Sequence, residues 1–185
     1  NDYHHLWKWS VEDIDTFWES IWEYFNIQPH QPYRAVRSGN QIIGTKWFPE
    51  ATINYTEHVF RNKSLRSPAI VHTSENRKLQ EISWKKLYQD TAALQKTLKK
   101  QGIQKGDRVA CYAPNIYETI VAFLATASLG AIWSSASPDF GTQSVKDRFQ
   151  QIEPKAMITV DGYTYNGKKF NRLEVVKELQ SALPS

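Results

Sequence analysis

Residues 105–136 read KGDRVACYAPNIYETIVAFLATASLGAIWSSA, and this stretch decides the fold class of the 185-residue chain. The apolar run at 109–113 follows a Lys-Gly-Asp turn and predicts a buried strand, and residues 131–134 predict a second one. Between them, apolar side chains recur at helical spacing before Gly130 ends the helix; they are Ile116, Ile120, Phe123, Leu124 and Ala127. Two apolar strands joined by one helix predict parallel pairing with a right-handed crossover.

The same alternation continues after this stretch. A helix with Val145, Phe149 and Ile152 on one side ends at Pro154, and a strand follows at 156–160. Residues 161–170 carry Asp-Gly and Asn-Gly pairs that are typical of a hairpin, and a last helix begins near residue 171.

Before residue 105 the pattern changes. Strands at 69–73 and 79–83 predict a hairpin, and Ser83 then caps a helix that ends at Gly102. The whole pattern predicts an α/β fold with an open, mostly parallel sheet flanked by helices.

The first quarter of the chain is a distinct segment with five of the seven tryptophans. Apolar residues between positions 11 and 25 recur at steps of three and four, which predicts one amphipathic helix with Ser10 as its N-cap. We expect its bulky stripe to pack on the chain's own core; an anionic membrane surface is the weaker alternative, because the polar face is acidic. Residues 28–49 predict a connecting loop, and we place the boundary of this segment at 62–63.

Composition excludes several function classes. The net charge of +4 comes from basic residues scattered among acids, whereas nucleic-acid binding needs a basic stripe. A single cysteine, Cys111, precludes an intramolecular disulfide, favours a reducing compartment and suits a small core residue, and the histidines show no metal-ligand spacing. Nothing approaches the roughly 18 consecutive apolar residues of a membrane helix. We therefore expect a cytoplasmic protein without metal, membrane or nucleic-acid partners.

Residues 130–141 are the strongest candidate for a ligand-binding segment. A strand there leads into small and turn-forming residues, and a helix starts near Thr142 or Ser144. Ligands of open parallel sheets bind outside the carboxyl ends of the strands, and a helix start suits an anion. From composition alone, a purely structural turn remains the alternative.

Several short motifs in the proper order resemble the adenylate-forming acyl-CoA synthetase superfamily. They are Trp84-Lys-Lys-Leu87, Gly106-Asp-Arg-Val-Ala110, Pro114-Asn115 and the segment 130–141. Further segments resemble the branch of that superfamily that takes acetoacetate; they are Trp9-Ser-Val-Glu12, Phe17-Trp18, Trp47-Phe-Pro49, Asn54-Tyr55, residues 132–141 and Tyr165-Asn-Gly-Lys168. The resemblance covers essentially the whole chain. It implies that residues 1–62 are the amino-terminal segment of acetyl-CoA-synthetase type and that 63–185 are the first, truncated part of the AMP-binding domain.

The resemblance implies an ATP-dependent acid–thiol ligase that uses acetoacetate, ATP with Mg²⁺, and coenzyme A. The family's Gly-rich phosphate loop with its lysine, and its Thr-Glu adenine motif, do not occur in residues 1–185. We therefore expect the chain to have no catalytic residues, to bind none of these cofactors alone, and to need the remainder of its own enzyme. Exposed sheet edges would permit self-association. A short-chain acyl-CoA synthetase acting on acetate or a similar acid, and a stand-alone α/β binding module, remain as alternatives.

The resemblance also implies residues that line the coenzyme A path. Ser137, Pro138 and Asp139 match a loop along that path, while Tyr165 and Lys168 match two arginines that meet the nucleotide phosphate. Of the last two, Lys168 keeps a positive charge, so this correspondence is partial. A solvated lysine at a hairpin tip is the alternative.

Overall fold

The structure is a computed structural model that describes residues 2–61 and 66–183. The chain divides into two compact units, Asn1–Asn54 and Tyr55–Ser185. The boundary expected at 62–63 lies outside the described residues and stays a prediction.

The first unit contains two helices and a short strand pair: α1 (Tyr3–Glu12), α2 (Ile14–Tyr24), β1 (Arg37–Ser38) and β2 (Lys46–Trp47). The stripe of α2 packs on aromatic side chains of this unit, because Trp22 lies 4.5 Å from Phe48 and 5.1 Å from Tyr33 between ring centroids. The stripe therefore contacts aromatic side chains of its own unit, but no residue of α2 is buried, and packing of the stripe on the chain's core stays a prediction.

The periodicity predicts a single helix with Ser10 as its N-cap, and the predicted start of this helix is wrong. Asp13 interrupts the helical path, and its carboxylate accepts a hydrogen bond from the Thr16 N–H at 3.4 Å as the N-cap of α2. Ser10 lies inside α1 instead, where its hydroxyl donates to the Trp7 carbonyl at 2.7 Å. Short polar side chains compete with the backbone for hydrogen bonds, and here the aspartate provides the cap.

The second unit begins with α3 (Tyr55–Arg61) and an antiparallel hairpin of β3 (Ile70–Ser74) and β4 (Arg77–Ile82). A three-stranded parallel sheet follows, with β5 (Arg108–Tyr112) between β6 (Ile132–Ala136) and β7 (Ala156–Thr159). A second hairpin is formed by β8 (Gly162–Tyr165) and β9 (Lys168–Asn171). The remaining helices are α4 (Trp84–Lys100), α5 (Tyr117–Ser128), α6 (Thr142–Ile152) and α7 (Leu173–Ala182).

Helices cover both faces of the parallel sheet. On one side of β5, Ala110 and Tyr112 pack with Phe149 of α6 and Leu179 of α7. On the other side, Val109 packs in a cluster with side chains of α4 and α5; these are Leu98 and Ala125, with Ile103 after α4. A fully buried side chain of the size of Val109, Phe149 or Leu179 contributes about 1.5–3 kcal/mol. Burial on both faces explains why β5 carries no charged residue after Arg108. The predicted fold class is confirmed.

The register of the sheet places its carboxyl edge. Tyr112 at the end of β5 pairs with Ala136 of β6 and with Thr159 of β7. The segments that follow β6 and β7 therefore leave the sheet at one edge, and they carry the candidate residues at 137–139 and 165–168.

Candidate ligand-binding site

The loop after β6 is anchored to the sheet by Tyr112. This side chain is fully buried, and its hydroxyl donates to the carbonyl of Pro138 at 2.8 Å. The Phe140 N–H donates to the Ser137 carbonyl at 3.2 Å, which closes a turn around the proline. A buried tyrosine needs a hydrogen-bond partner for its hydroxyl, and here that partner is a carbonyl of the loop. The hydrogen bond therefore ties the loop to the end of the central strand.

Within this loop, Asp139 is the exposed charged group. The pKa of its carboxyl is lowered, first by a hydrogen bond from the Ser137 side chain and then by its own backbone N–H, with a smaller contribution from the charge of Arg172. Asp139 is therefore ionised at neutral pH. The Pro138 side chain is buried, so this residue offers its ring to the core rather than to solvent.

The second part of the site is the tip of the β8–β9 hairpin. Tyr165 and Lys168 are opposite each other across the strands, and both side chains are exposed. The two residues between them have positive φ, 51° at Asn166 and 71° at Gly167, as a type I′ turn requires. The Asn-Gly pair in the sequence was a sufficient signal for this turn.

Arg172, which sequence reasoning missed, lies directly after the hairpin and contacts its aromatic pair. Its guanidinium lies 5.3 Å from the centroid of Tyr163 and 5.8 Å from that of Phe170, which stack on each other across the strands. It also donates to the Tyr163 hydroxyl at 3.1 Å, and its charge acts on Asp139. The available signal in the sequence was weak: a basic residue that follows a hairpin with aromatic side chains on one face.

The predicted residues thus lie on two segments that leave the parallel sheet at the same edge. Side chains alternate along a strand, so the Tyr163–Phe170 pair and the Tyr165–Lys168 pair share a hairpin face, about 7 Å apart. Arg172 lies against the aromatic pair at the base of that face, and its charge contributes to lowering the pKa of Asp139. A shallow pocket of about 300 Å³ lies along the hairpin and is lined in part by Tyr163, Thr164, Lys169 and Phe170. Exposed cations beside an open aromatic surface can bind an anionic, partly aromatic ligand.

A reactive thiol and a metal site are two further kinds of site on which the described residues give direct observations. Cys111 is fully buried, and burial raises the pKa of its thiol to about 11, so it is a protonated core residue. Across residues 2–61 and 66–183, no three His, Cys, Asp or Glu side chains group to hold a metal ion. Within the same ranges, no helix is long and apolar enough to cross a membrane.

Comparison with known proteins identifies the class. Residues 57–185 match the sequence profile described as AMP-binding enzyme, and residues 3–59 match that described as acetyl-coenzyme A synthetase N-terminus. The first match covers more than half of the chain, so the chain belongs to the AMP-binding enzyme family.

Similar proteins within this class carry one name. The acetoacetyl-coenzyme A synthetase of Rhizobium meliloti (strain 1021) is 43% identical over 91% of this chain and 26% of its own length. That of Xenopus tropicalis is 37% identical over 99% of this chain and 28% of its own. The solved acetoacetyl-CoA synthetase from Streptomyces lividans superposes on all of this chain and 29% of its own, with a TM-score of 0.94 and 42% identity.

These matches confirm the resemblance that the sequence motifs indicated. The chain spans little more than a quarter of the length of the relatives that it matches.

Proposed function

We propose that this chain is the amino-terminal part of an acid–CoA ligase that converts acetoacetate to acetoacetyl-CoA. The observation that carries the proposal is the similarity to the Streptomyces lividans acetoacetyl-CoA synthetase over the full chain, at 42% identity. The loop of residues 137–141 and the hairpin at 162–171 both fall within the matched region.

The reaction has two steps. A carboxylate oxygen of acetoacetate attacks the α-phosphorus of ATP, bound as its magnesium complex, and pyrophosphate leaves as the acyl-adenylate forms. The sulfur of coenzyme A then attacks the acyl carbon, AMP leaves, and the thiol proton goes to solvent or a base. Both steps depend mainly on positioning and on neutralising phosphate charge.

In this proposal the described residues serve coenzyme A rather than ATP. The phosphate-loop and adenine motifs do not occur in residues 1–185, so we assign ATP and Mg²⁺ to other parts of the full-length enzyme. Ser137, Pro138 and Asp139 form one wall of the coenzyme A path, and Tyr165 and Lys168 lie near its nucleotide phosphate. Lys168 attracts the phosphate, Tyr165 offers a ring, and the Pro138 side chain acts through the shape of the loop because it is buried.

A single, buried cysteine is typical of a protein in a reducing compartment, so we propose that the full-length enzyme is cytoplasmic. We also propose that the principal partner of this chain is the remainder of its own enzyme. The boundary of the amino-terminal segment at 62–63 belongs to the same proposal.

The test of the reaction uses the full-length enzyme and a panel of acids. We expect AMP release that depends on both acid and coenzyme A, with the highest kcat/KM for acetoacetate and lower values for acetate, propionate and butyrate. A preference for acetate would reassign the enzyme to the acetyl-CoA synthetases. Absence of turnover with every acid, from folded protein, would favour a binding module.

The test of the site is Lys168→Glu in the full-length enzyme. We expect the KM for coenzyme A to rise about three- to tenfold while the KM for ATP stays unchanged, because charge reversal opposes the phosphate. Lys96→Glu makes the same change of charge at an exposed position of α4 and serves as the control. Equal effects on both KM values, or no effect on either, would contradict a role of Lys168 in binding coenzyme A and would indicate a solvated side chain.

A further inference from the structure

The turn of the β8–β9 hairpin is held by a side chain from a distant part of the chain. Glu75, in the turn between β3 and β4, accepts a hydrogen bond from the N–H of Asn166 at 2.7 Å through one carboxylate oxygen. Its other oxygen accepts from the N–H of Gly167, also at 2.7 Å. One carboxylate therefore bonds two consecutive backbone donors that are more than 90 residues away in sequence.

The geometry of the turn explains why a carboxylate fits there. The hairpin ladder pairs Tyr165 with Lys168, and the two residues between them have positive φ. Consecutive N–H groups in such turns form a small concave site for an anion. Hydrogen bonds to a charged acceptor are roughly twice as strong as neutral ones, and two from one carboxylate also fix its orientation.

Glu75 is itself held by the body of the second unit. The β3–β4 hairpin packs through Ile70 and Ile82 on the core cluster that contains Phe60 and Leu87. Arg77, two residues from Glu75, forms an ion pair with Glu118 of α5 at 3.3 Å. The β8–β9 tip is a two-stranded projection, an arrangement that is marginally stable without further contacts. Glu75 supplies such a contact at the tip, whereas Arg172 acts at the base.

We propose that Glu75 is a positioning residue for coenzyme A, because it clamps the Asn166–Gly167 turn and so holds Tyr165 and Lys168 where the nucleotide phosphate binds. This inference rests on the proposed function. Glu75 itself does not contact coenzyme A; it acts through the hairpin that carries Tyr165 and Lys168.

A simple electrostatic role predicts the opposite effect on binding. The negative charge of Glu75 near Lys168 opposes an anionic ligand, so removing it would lower the KM for coenzyme A. Glu75→Gln and Glu75→Ala separate these readings, because both remove the charge but the amide retains one oxygen that can accept a hydrogen bond. A clamp therefore predicts a large defect for alanine and a smaller one for glutamine.

The experiment uses the full-length enzyme with Glu75→Ala, Glu75→Gln and Lys168→Glu. Glu81→Ala and Glu81→Gln are the matched controls, at an exposed position of the same β3–β4 hairpin. Hydrogen exchange of the peptide covering 162–171 reports the clamp, steady-state kinetics report the KM for coenzyme A, and ATP–pyrophosphate exchange reports adenylate formation, which needs no coenzyme A.

For Glu75→Ala we expect exchange at the turn to accelerate, and the KM for coenzyme A to rise about three- to tenfold. Glu75→Gln should lie between Glu75→Ala and the wild type, the Glu81 controls should match the wild type, and pyrophosphate exchange should be unchanged throughout. A merely structural role would impair both half-reactions together.

Unchanged exchange at 162–171 in Glu75→Ala would overturn the inference, and so would a lower KM for coenzyme A in both Glu75 variants. Faster exchange with an unchanged KM would also overturn it, and Lys168→Glu then shows which idea has failed. If Lys168→Glu raises the KM, the hairpin binds coenzyme A without needing the clamp; if it does not, the proposed site itself is wrong.

Discussion

Tyr112 joins the core of the second unit to the candidate loop with one hydroxyl. The ring lies among the apolar side chains between the sheet and α6–α7, while the hydroxyl donates to the Pro138 carbonyl. The same residue thus contributes to stability through its ring and to the position of Ser137 and Asp139 through its oxygen.

Tyr112→Phe should keep the packing and lose the hydrogen bond. We expect the free energy of unfolding to fall by about 1–2 kcal/mol, since the buried Pro138 carbonyl loses its donor. Equilibrium urea unfolding of residues 1–185 measures the change. Tyr165→Phe removes an exposed hydroxyl and should alter stability by less than about 0.5 kcal/mol. Equal effects of the two substitutions would contradict the anchoring role of Tyr112.

Cys111 links stability to alkaline pH. Burial raises the pKa of its thiol from 9.0 to about 11 in the folded chain. Between these pH values the folded state retains a proton that the unfolded state has lost, so stability must fall as pH rises through this window. Cys111→Ala lacks this proton, whereas the tyrosines that also titrate at high pH are present in both proteins.

We therefore expect the stability of the wild type relative to Cys111→Ala to be constant up to about pH 8 and to decrease from pH 9 towards 11. Urea unfolding at steps of pH measures this difference. Parallel profiles for the two proteins across the window would show that the thiol ionises equally in both states.

At the scale of elements, the end of α4 shows a terminus that is fixed by backbone conformation. Gly102 has a φ of 84°, and its N–H donates to the Lys99 carbonyl at 3.0 Å. The next N–H, that of Ile103, donates to the Leu98 carbonyl, and both apolar side chains are buried together. This is the Schellman arrangement that the sequence predicts from a glycine followed by an apolar residue.

Gly102→Ala should destabilise the chain by about 1 kcal/mol through backbone strain alone. A Cβ at this position would meet no atom within 4 Å, so no steric clash contributes. Gly102→Asn should cost less, because asparagine enters the left-handed region more readily than alanine. Urea unfolding of both variants measures the order, and an asparagine variant less stable than the alanine variant would contradict this explanation.

Local signals predicted most elements of the second unit. Ser83 caps α4 by accepting from the Lys86 N–H at 3.2 Å, and β5, β6 and β7 lie within two residues of their predicted bounds. The helices of the first unit were harder to predict, because the apolar periodicity continues through Asp13 and gives no sign of the break between α1 and α2. The first hairpin also turns more tightly than its polar sequence suggested, with Glu75 and Asn76 between the paired residues Ser74 and Arg77.

At the scale of the whole molecule, the candidate site shows where sequence reasoning ends. The loop at 137–139 and the hairpin tip were predictable, since a family resemblance and an Asn-Gly turn mark them. The contacts that hold each of them in place were not predictable: Tyr112 reaches Pro138 across 26 residues, and Glu75 reaches the hairpin turn across 91. Such contacts arise from the packing of distant elements, and no local pattern in the sequence encodes them.

The proposed assignment of ATP to other parts of the full-length enzyme also predicts that residues 1–185 do not bind ATP. Residues 1–185 contain neither the family's phosphate loop nor its adenine motif, and we propose that the candidate ligand residues serve coenzyme A. Isothermal titration of residues 1–185 with Mg-ATP should therefore give no saturable heat, whereas the full-length enzyme should bind. Circular dichroism of the same sample must show folded protein for the comparison to count. Micromolar binding by residues 1–185 would place part of the nucleotide site among the strands described here, and the assignment of this region to coenzyme A would then have to change.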